Sequence, residues 1–289
     1  MSRWRLRGRT VMITGATGGI GLAAARTLAR EGANLVLVGR SAARGEDAVR
    51  TVRGVNADIA IDFLQADFAS LEDVAGLART YVASGRELHV LINNAGVVNT
   101  ARRLTVDGHE EMFAVNFLAH FLLTCMLLER IRQSAPARIV HVSSNAHAFC
   151  RGIRFEDLDH ARGFSTFPVY GHSKLANILF SNELARRLRG SRVSSNAVHP
   201  GAVATGLGTN NWGLAGRLIP ALIRPFMKRP DEGAATVVHV AGSPELESVT
   251  GRYFQDSREV DPRPWARDRE TEGRLWGVSE KLLAAQLQP

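Results

Sequence analysis

Tyr170 and Lys174 stand four residues apart in FPVYGHSKLANILFSNELARRL, a stretch whose apolar residues recur at three and four positions. On a helix that spacing puts the phenol and the ammonium on one face. A free phenol ionises only near pH ~10, too high for proton transfer at neutral pH, and an adjacent ammonium favours the phenolate. The pair is therefore suited to giving and taking a proton.

A second constellation follows the first apolar run, TVMITG. It reads Thr14-Gly15-Ala16-Thr17-Gly18-Gly19-Ile20-Gly21 and leads into the helical pattern LAAARTLAREG. Glycines let a backbone turn tightly and approach a pyrophosphate, while the helix N-terminus offers free N–H groups and a positive dipole end. Glycine also serves strand-to-helix turns for conformational reasons alone, so the position between strand and helix is what gives the pattern meaning. The second apolar run, NLVLVG, ends at Gly39-Arg40-Ser41. An enzyme binding NAD would place an acidic residue there for the adenosine ribose. Here Arg40 offers a planar, always-charged fork to a 2′-phosphate, which favours NADP(H) over NAD(H).

Two further residues fit the same site with rival readings attached. Asp67, followed by Phe68 after the third run IDFLQAD, could accept from an adenine amino group or could cap the next helix. Asn116 is polar on an otherwise apolar helix face, a costly placement unless it is hydrogen-bonded.

The elements that must position these groups alternate. Val- and Ile-rich runs TVMITG, NLVLVG, IDFLQAD, HVLINNAG, RIVHVSS and SSNAVHPG are separated by helix-period segments near residues 19–31, 42–53, 70–84, 107–133 and 168–189. This order predicts an α/β, Rossmann-type doubly wound parallel sheet of about seven strands, with helices on both faces. GRYFQ, around 251–255, is expected to close one edge. No repeat or linker divides the chain, so residues 1–289 read as a single domain. The stretch after Asp256 is rich in charge and proline and is expected on the surface, and Arg3 to Arg9 read as a solvated arm.

Composition narrows the function classes. The net charge of +8 comes from basic residues scattered along helices, not from a stripe with aromatic partners, so nucleic acid is not expected as a partner. Cys125 and Cys150 form no CxxC pair, and no His cluster has metal-ligand spacing, so neither a disulfide framework nor a metal site is indicated. No signal segment opens the chain and no apolar run suggests a span, which leads to the expectation of a cytoplasmic protein without a membrane anchor.

TGxxxGxG at 14–21, Asn93-Asn94-Ala95-Gly96 after the fourth run, Ser143-Ser144 after the fifth, and Tyr170-Gly171-His172-Ser173-Lys174 together resemble the short-chain dehydrogenase/reductase family, in order and over nearly the whole chain. HSKLANILFSNELARRL, VHPG and RIVHVSSNAH are most similar to its retinol dehydrogenase and WW-domain oxidoreductase-like branch. The resemblance implies hydride transfer between a nicotinamide and a carbonyl or alcohol carbon of a small molecule, with Tyr170 as general acid/base and Lys174 beside it. By the same resemblance Ser144 binds the substrate oxygen, with Ser143 as the alternative, and Asn116 holds a water linking Lys174 to solvent. Gly15, Thr17, Gly18, Gly19, Ile20, Gly21, Arg40, Asp67, Phe68, Asn94, Ala95 and Gly96 would line the cofactor, together with Tyr170 and Lys174. Pro200, Gly201, Val203 and Thr205 would clasp its amide, although Pro-Gly is also an ordinary turn, and Asn93 could serve only to tighten the sheet. The family often pairs through the helices that hold Asn116 and Tyr170, so a homo-oligomer is compatible and the state stays open.

Residues 206–229 carry Trp212, Leu214, Leu218, Ile219, Leu222, Ile223, Phe226 and Met227, where this family has its substrate lid. Such a lid suits a hydrophobic ketone, aldehyde or alcohol; packing on the chain's own core or on a second subunit would use the same residues. A non-catalytic NADP-binding sensor of the same fold and an extended-family sugar-nucleotide epimerase are the rival functions. The intact Asn116, Ser144, Tyr170 and Lys174 speak against the first, and the glycine spacing speaks against the second.

Overall fold

Short Val-, Ile- and Leu-rich runs bounded by turn residues suit strands buried on both faces of a covered sheet, and each of the six becomes one. A computed structural model describes residues 4–201, 203 and 228–287. The strands are β1 (Thr10–Thr14), β2 (Asn34–Gly39), β3 (Ile61–Gln65), β4 (Val90–Asn93), β5 (Ala137–Val142), β6 (Val193–His199), β7 (Tyr253–Gln255) and β8 (Arg258–Glu259). They lie in the order β3-β2-β1-β4-β5-β6-β7-β8, parallel throughout except for β8. The expected seven strands become eight because a two-residue strand folds back on β7, so GRYFQ is not itself the edge.

The helices are α1 (Gly19–Arg30), α2 (Ala42–Arg53), α3 (Leu71–Ala83), α4 (Glu111–Phe113), α5 (Ala119–Gln133), α6 (Thr166–Arg187), α7 (Pro230–Gly242), α8 (Arg269–Leu282) and α9 (Ala284–Leu287). Two apolar layers sandwich the sheet. One, on the side of α1 and α7, includes Leu28, Val237 and Val240; the other includes Tyr81, Phe117, Phe121, Leu179 and Phe180. The chain order doubles back between β1 and β4, so the C-terminal ends of these two strands form the switch point where open α/β sheets bind ligands.

Four expectations are corrected. The segment after Asp256 is not a surface tail: α8 lays Leu275 and Trp276 against the core, and the Trp276 ring lies 4.9 Å from Phe121 and 5.7 Å from Phe180. Nor is the N-terminal stretch a solvated arm. Trp4 and Leu6 are buried, and the Trp4 ring is held between the guanidinium groups of Arg9 and Arg138 at 4.3 and 4.2 Å. The alternating arginines concealed an anchor that flat cation–aromatic stacking can bury.

The long helix expected over 107–133 begins only at Glu111 and is broken by a π turn at Ala114–Leu118. By length and a mean hydropathy of 1.7, Glu111–Gln133 could cross a membrane, contrary to the expectation that no run approached this, yet 78% of that window is buried inside the fold. Of the expected lid, only Lys228 and Arg229 belong to the described residues, and so nothing of Trp212 to Met227 does.

Candidate active site

At the switch point the first turn is built from backbone. Gly15 has φ of +66°, and a Cβ there would stand 2.9 Å from the Ala95 Cα; a Cβ on Gly21 would stand 2.3 Å from the Gly15 carbonyl oxygen. Only glycine lets β1, β4 and α1 converge this closely. Gly18 caps α1 without a side-chain hydrogen bond, and no acidic residue occupies the first turn. The free N–H groups of that turn and the dipole end thus face the cleft unneutralised. Gly19 has φ of +53°, and Ile20 packs partly into the layer beneath. These features fit a dinucleotide pyrophosphate.

Beside this turn, a Cβ on Gly39 would meet the Thr17 methyl group at 2.7 Å. Arg40 is exposed at the end of β2, its carbonyl oxygen accepting from Gln65 Nε2 at 3.0 Å. Arg44, not singled out by sequence reasoning, reaches over the loop to the Thr17 carbonyl oxygen at 3.4 Å. A signal was there to be read: a cation in the first turn of α2 opposes the helix dipole and asks for a reason. Asp67 does not cap a helix. Its Oδ1 accepts from Ala69 N at 3.0 Å, and the cap of α3 is Ser70, because the helix starts only at Leu71. Phe68 is buried with its ring 5.2 Å from His120.

Below the loop, Thr14 is the hub. Its hydroxyl oxygen accepts from Asn94 N (2.8 Å) and Ala95 N (2.9 Å) and pairs with His120 Nε2 at 2.9 Å. His120 Nδ1 faces the Asn116 carbonyl oxygen at 3.1 Å. A carbonyl can only accept, so Nδ1 carries the proton and Nε2 accepts from Thr14. Burial keeps this ring neutral, its pKa pushed down to about 3. Asn94 Nδ2 donates to the Thr14 carbonyl oxygen at 2.7 Å, while Asn93 turns inward to Thr124 Oγ1 at 2.9 Å, a sheet-internal role. Thr14 and His120 link strands and helix across long stretches of chain, and no local pattern marks them.

The π turn presents Asn116. Its Oδ1 accepts from Val97 N at 2.7 Å, and its Nδ2 donates to the Val97 carbonyl oxygen at 3.1 Å and to Ser173 Oγ at 3.0 Å. The cost of burying this amide is thereby met on all sides. A Cβ on Gly96 would come within 3.2 Å of Asn116 Oδ1 and 3.7 Å of Lys174 Nζ, so the glycine keeps a gap between the two open.

Tyr170 is partly buried, and Ser144, just past β5, sits close enough to its phenol to favour the ionised form, while the Ser144 hydroxyl oxygen accepts from Ala146 N at 3.1 Å. Ser143 is occupied elsewhere, donating to the Lys174 carbonyl oxygen at 2.7 Å. Lys174 Nζ donates to the Val142 carbonyl oxygen at 3.0 Å and lies 5.6 Å from the centre of the Tyr170 ring. Desolvation dominates both groups: it pushes the Tyr170 phenol up to about 12, partly opposed by Ser144, and the Lys174 ammonium down to about 8. In the protein alone, burial and not the neighbouring lysine sets the direction of the phenol's shift.

Pro200 is buried and Gly201 has φ of +89°. Val203 bridges Lys228, and its methyl group fills the space above Gly233. Thr205 lies outside the described residues. The described residues thus bring together a turn that fits a dinucleotide pyrophosphate and, on the other side of β4, a phenol and an ammonium whose protons are both shifted by desolvation.

Residues 9–213 match the family described as short chain dehydrogenase. Retinol dehydrogenase 12 of Mus musculus is 42% identical over 282 residues, 98% of this chain and 88% of that protein. Among solved structures, an uncharacterized protein from Mycobacterium paratuberculosis is 33% identical with a TM-score of 0.77, covering 98% of this chain and 96% of that one. The Pseudomonas aeruginosa RhlG/NADP active-site complex is 26% identical with a TM-score of 0.69, covering 88% and 97%.

Proposed function

Because the chain belongs to the short chain dehydrogenase family, as an oxidoreductase of alcohol and carbonyl carbons that uses a nicotinamide cofactor, we propose that it is an NADP(H)-dependent reductase of apolar aldehydes or ketones, with Tyr170 as its acid. The observation that carries this reading is the Tyr170–Lys174 pair on one face of α6, Nζ 5.6 Å from the ring centre, beside Ser144 and an uncapped helix N-terminus.

The glycine turn at 15–21 and the N-terminus of α1 would hold the pyrophosphate, and Arg40 and Arg44 would flank the adenosine 2′-phosphate with planar donors. Bound there, the nicotinamide supplies or accepts the hydride at the substrate carbon. Ser144 orients the substrate oxygen and donates to it as negative charge develops. Tyr170, held neutral by burial, is in the protonation state needed to give its proton to that oxygen. Lys174, with its proton only loosely held, replenishes the phenol, and the gap at Gly96 bordered by Asn116 gives a path for the proton from solvent. In the direction of alcohol oxidation the phenol must first ionise, which the protein alone opposes.

An apolar substrate is supported by the name of the similar mouse protein, a retinol dehydrogenase. Fluorescence titration with NADPH and NADH, followed by an NADPH-consumption screen over retinal, long-chain aldehydes and aromatic ketones, tests the reading. Tight NADPH binding with turnover of an apolar carbonyl is expected; preference for NADH, or binding without turnover of any of them, would sink it.

A further inference from the structure

Tyr170 and His172 are two residues apart on α6, so their side chains leave the helix about 200° apart. His172 therefore points away from the proton-transfer pair, into a separate cavity of about 370 Å³ that neither Tyr170 nor Ser144 lines. That size is within the range of small-molecule sites. Phe149, Ile153 and Pro168 give it apolar walls, and Arg151 and Arg154 bring two guanidinium groups. Arg151 makes no ion pair among the described residues, and Arg154 stands 3.8 Å from Asp157.

The polar end of this cavity has a defined hydrogen-bond polarity. His172 Nε2 accepts from Arg154 N at 3.0 Å, so His172 carries its proton on Nδ1. That Nδ1–H points at His160 Nε2, 3.2 Å away, so His160 in turn carries its proton on Nδ1. The His160 Nδ1–H is buried and has no acceptor among the described residues. Charging His160 would set two N–H groups against each other, so the pair stays neutral. His160 also holds a left-handed backbone, φ of +49°, while 98% of its surface is withdrawn from solvent. A strained, buried donor left unpaired in the wall of a cavity is a costly arrangement that an acceptor would relieve.

We propose that this cavity, on the back of the catalytic helix, binds an amphipathic carboxylate: an acid whose apolar tail lies on Phe149, Ile153 and Pro168 and whose carboxylate meets Arg151, Arg154 and the His160 Nδ1–H. Phe149 and Phe167, exposed at 57% and 58%, meet edge to face at 5.8 Å and extend the apolar surface at its side. The site is independent of cofactor and of turnover.

Decanoate is the probe, with decanol as its uncharged control, added to the full chain carrying ¹⁵N-labelled histidine. Saturable decanoate binding by calorimetry is expected, at least tenfold tighter than decanol. It should be accompanied by a shift of the Nδ1–H resonance that is lost in His160→Asn. Ile153→Trp, which fills the cavity, should abolish binding while NADPH titration stays unchanged. Should that variant misfold, the surface double variant Arg151→Glu with Arg154→Glu serves instead, with at least a tenfold loss expected. Absence of saturable binding, equal affinity for decanol, or binding that survives either variant would overturn the proposal.

Discussion

The two sides of the switch point solve opposite electrostatic problems. On the phosphate side, recognition is assigned to glycine backbone, a helix end and the exposed guanidinium groups of Arg40 and Arg44, all in contact with water. On the proton side, Asn116 and Lys174 are withdrawn from water and Tyr170 is half-buried, and desolvation shifts the protons of Tyr170 and Lys174. Charge in water attracts at range and is screened by salt, whereas charge stripped of water is tuned by its neighbours and responds to pH. On the function proposed above, the cleft would first capture a polyanion and then protonate an oxygen, and it would need both.

Removing the acid itself should have the largest effect. Tyr170→Phe is expected to lower kcat by about 10²–10⁴, the usual worth of general acid–base catalysis, with NADPH affinity nearly unchanged; retained turnover would move the acid elsewhere. Next comes the phosphate side. Arg40→Ala should weaken NADPH by roughly 10- to 100-fold, as loss of a charge-assisted contact of about 1.5–3 kcal/mol implies, and should leave NADH unaffected. The gap should narrow in 0.5 M salt, and equal losses for both cofactors would break the comparison.

Between the two sides, Thr14→Val would strand two N–H groups and one imidazole nitrogen in the interior, with an expected cost of at least ~2 kcal/mol in thermal or urea unfolding. Thr14→Ser should restore most of it. The smallest effect is one of pH. Lys174, depressed to about 8, should make reduction fall as pH rises through that value and the ammonium proton is lost. Glu110, buried as the cap of α4, is pushed up to about 7 from its ordinary 4.5. Its contribution to stability is complete below 4.5 and is lost as pH rises through about 7. Melting temperatures measured between pH 5 and 8 should therefore fall more steeply for the native chain than for Glu110→Gln.

What the sequence made legible on each side follows from how each is built. The phosphate turn and the Tyr170–Lys174 face are local, a few residues whose spacing is their geometry, and the alternation of strands and helices is equally local. Thr14 and His120 could not be read, because their partners lie 80 and 106 residues away in the chain. The π turn was hidden for a related reason: one inserted residue shifts which side of a helix is presented without disturbing its apolar composition. Arg44 and the buried face of Leu275, Trp276 and Ser279 on α8 were legible and were masked by surrounding charge.

The place of α8 has a bearing on how the protein is made. Domains begin to fold from the N-terminus while the ribosome adds about 5–20 residues per second. Strands β1 to β6 and the phosphate turn emerge well before Trp276, so a nascent chain can assemble its nucleotide corner while Phe121 and Phe180 still face solvent. A chain cut short ahead of Arg269 would keep most of its sheet and expose an aromatic flank, a target for chaperones and proteases. Docking of α8 is thus the step that covers this flank.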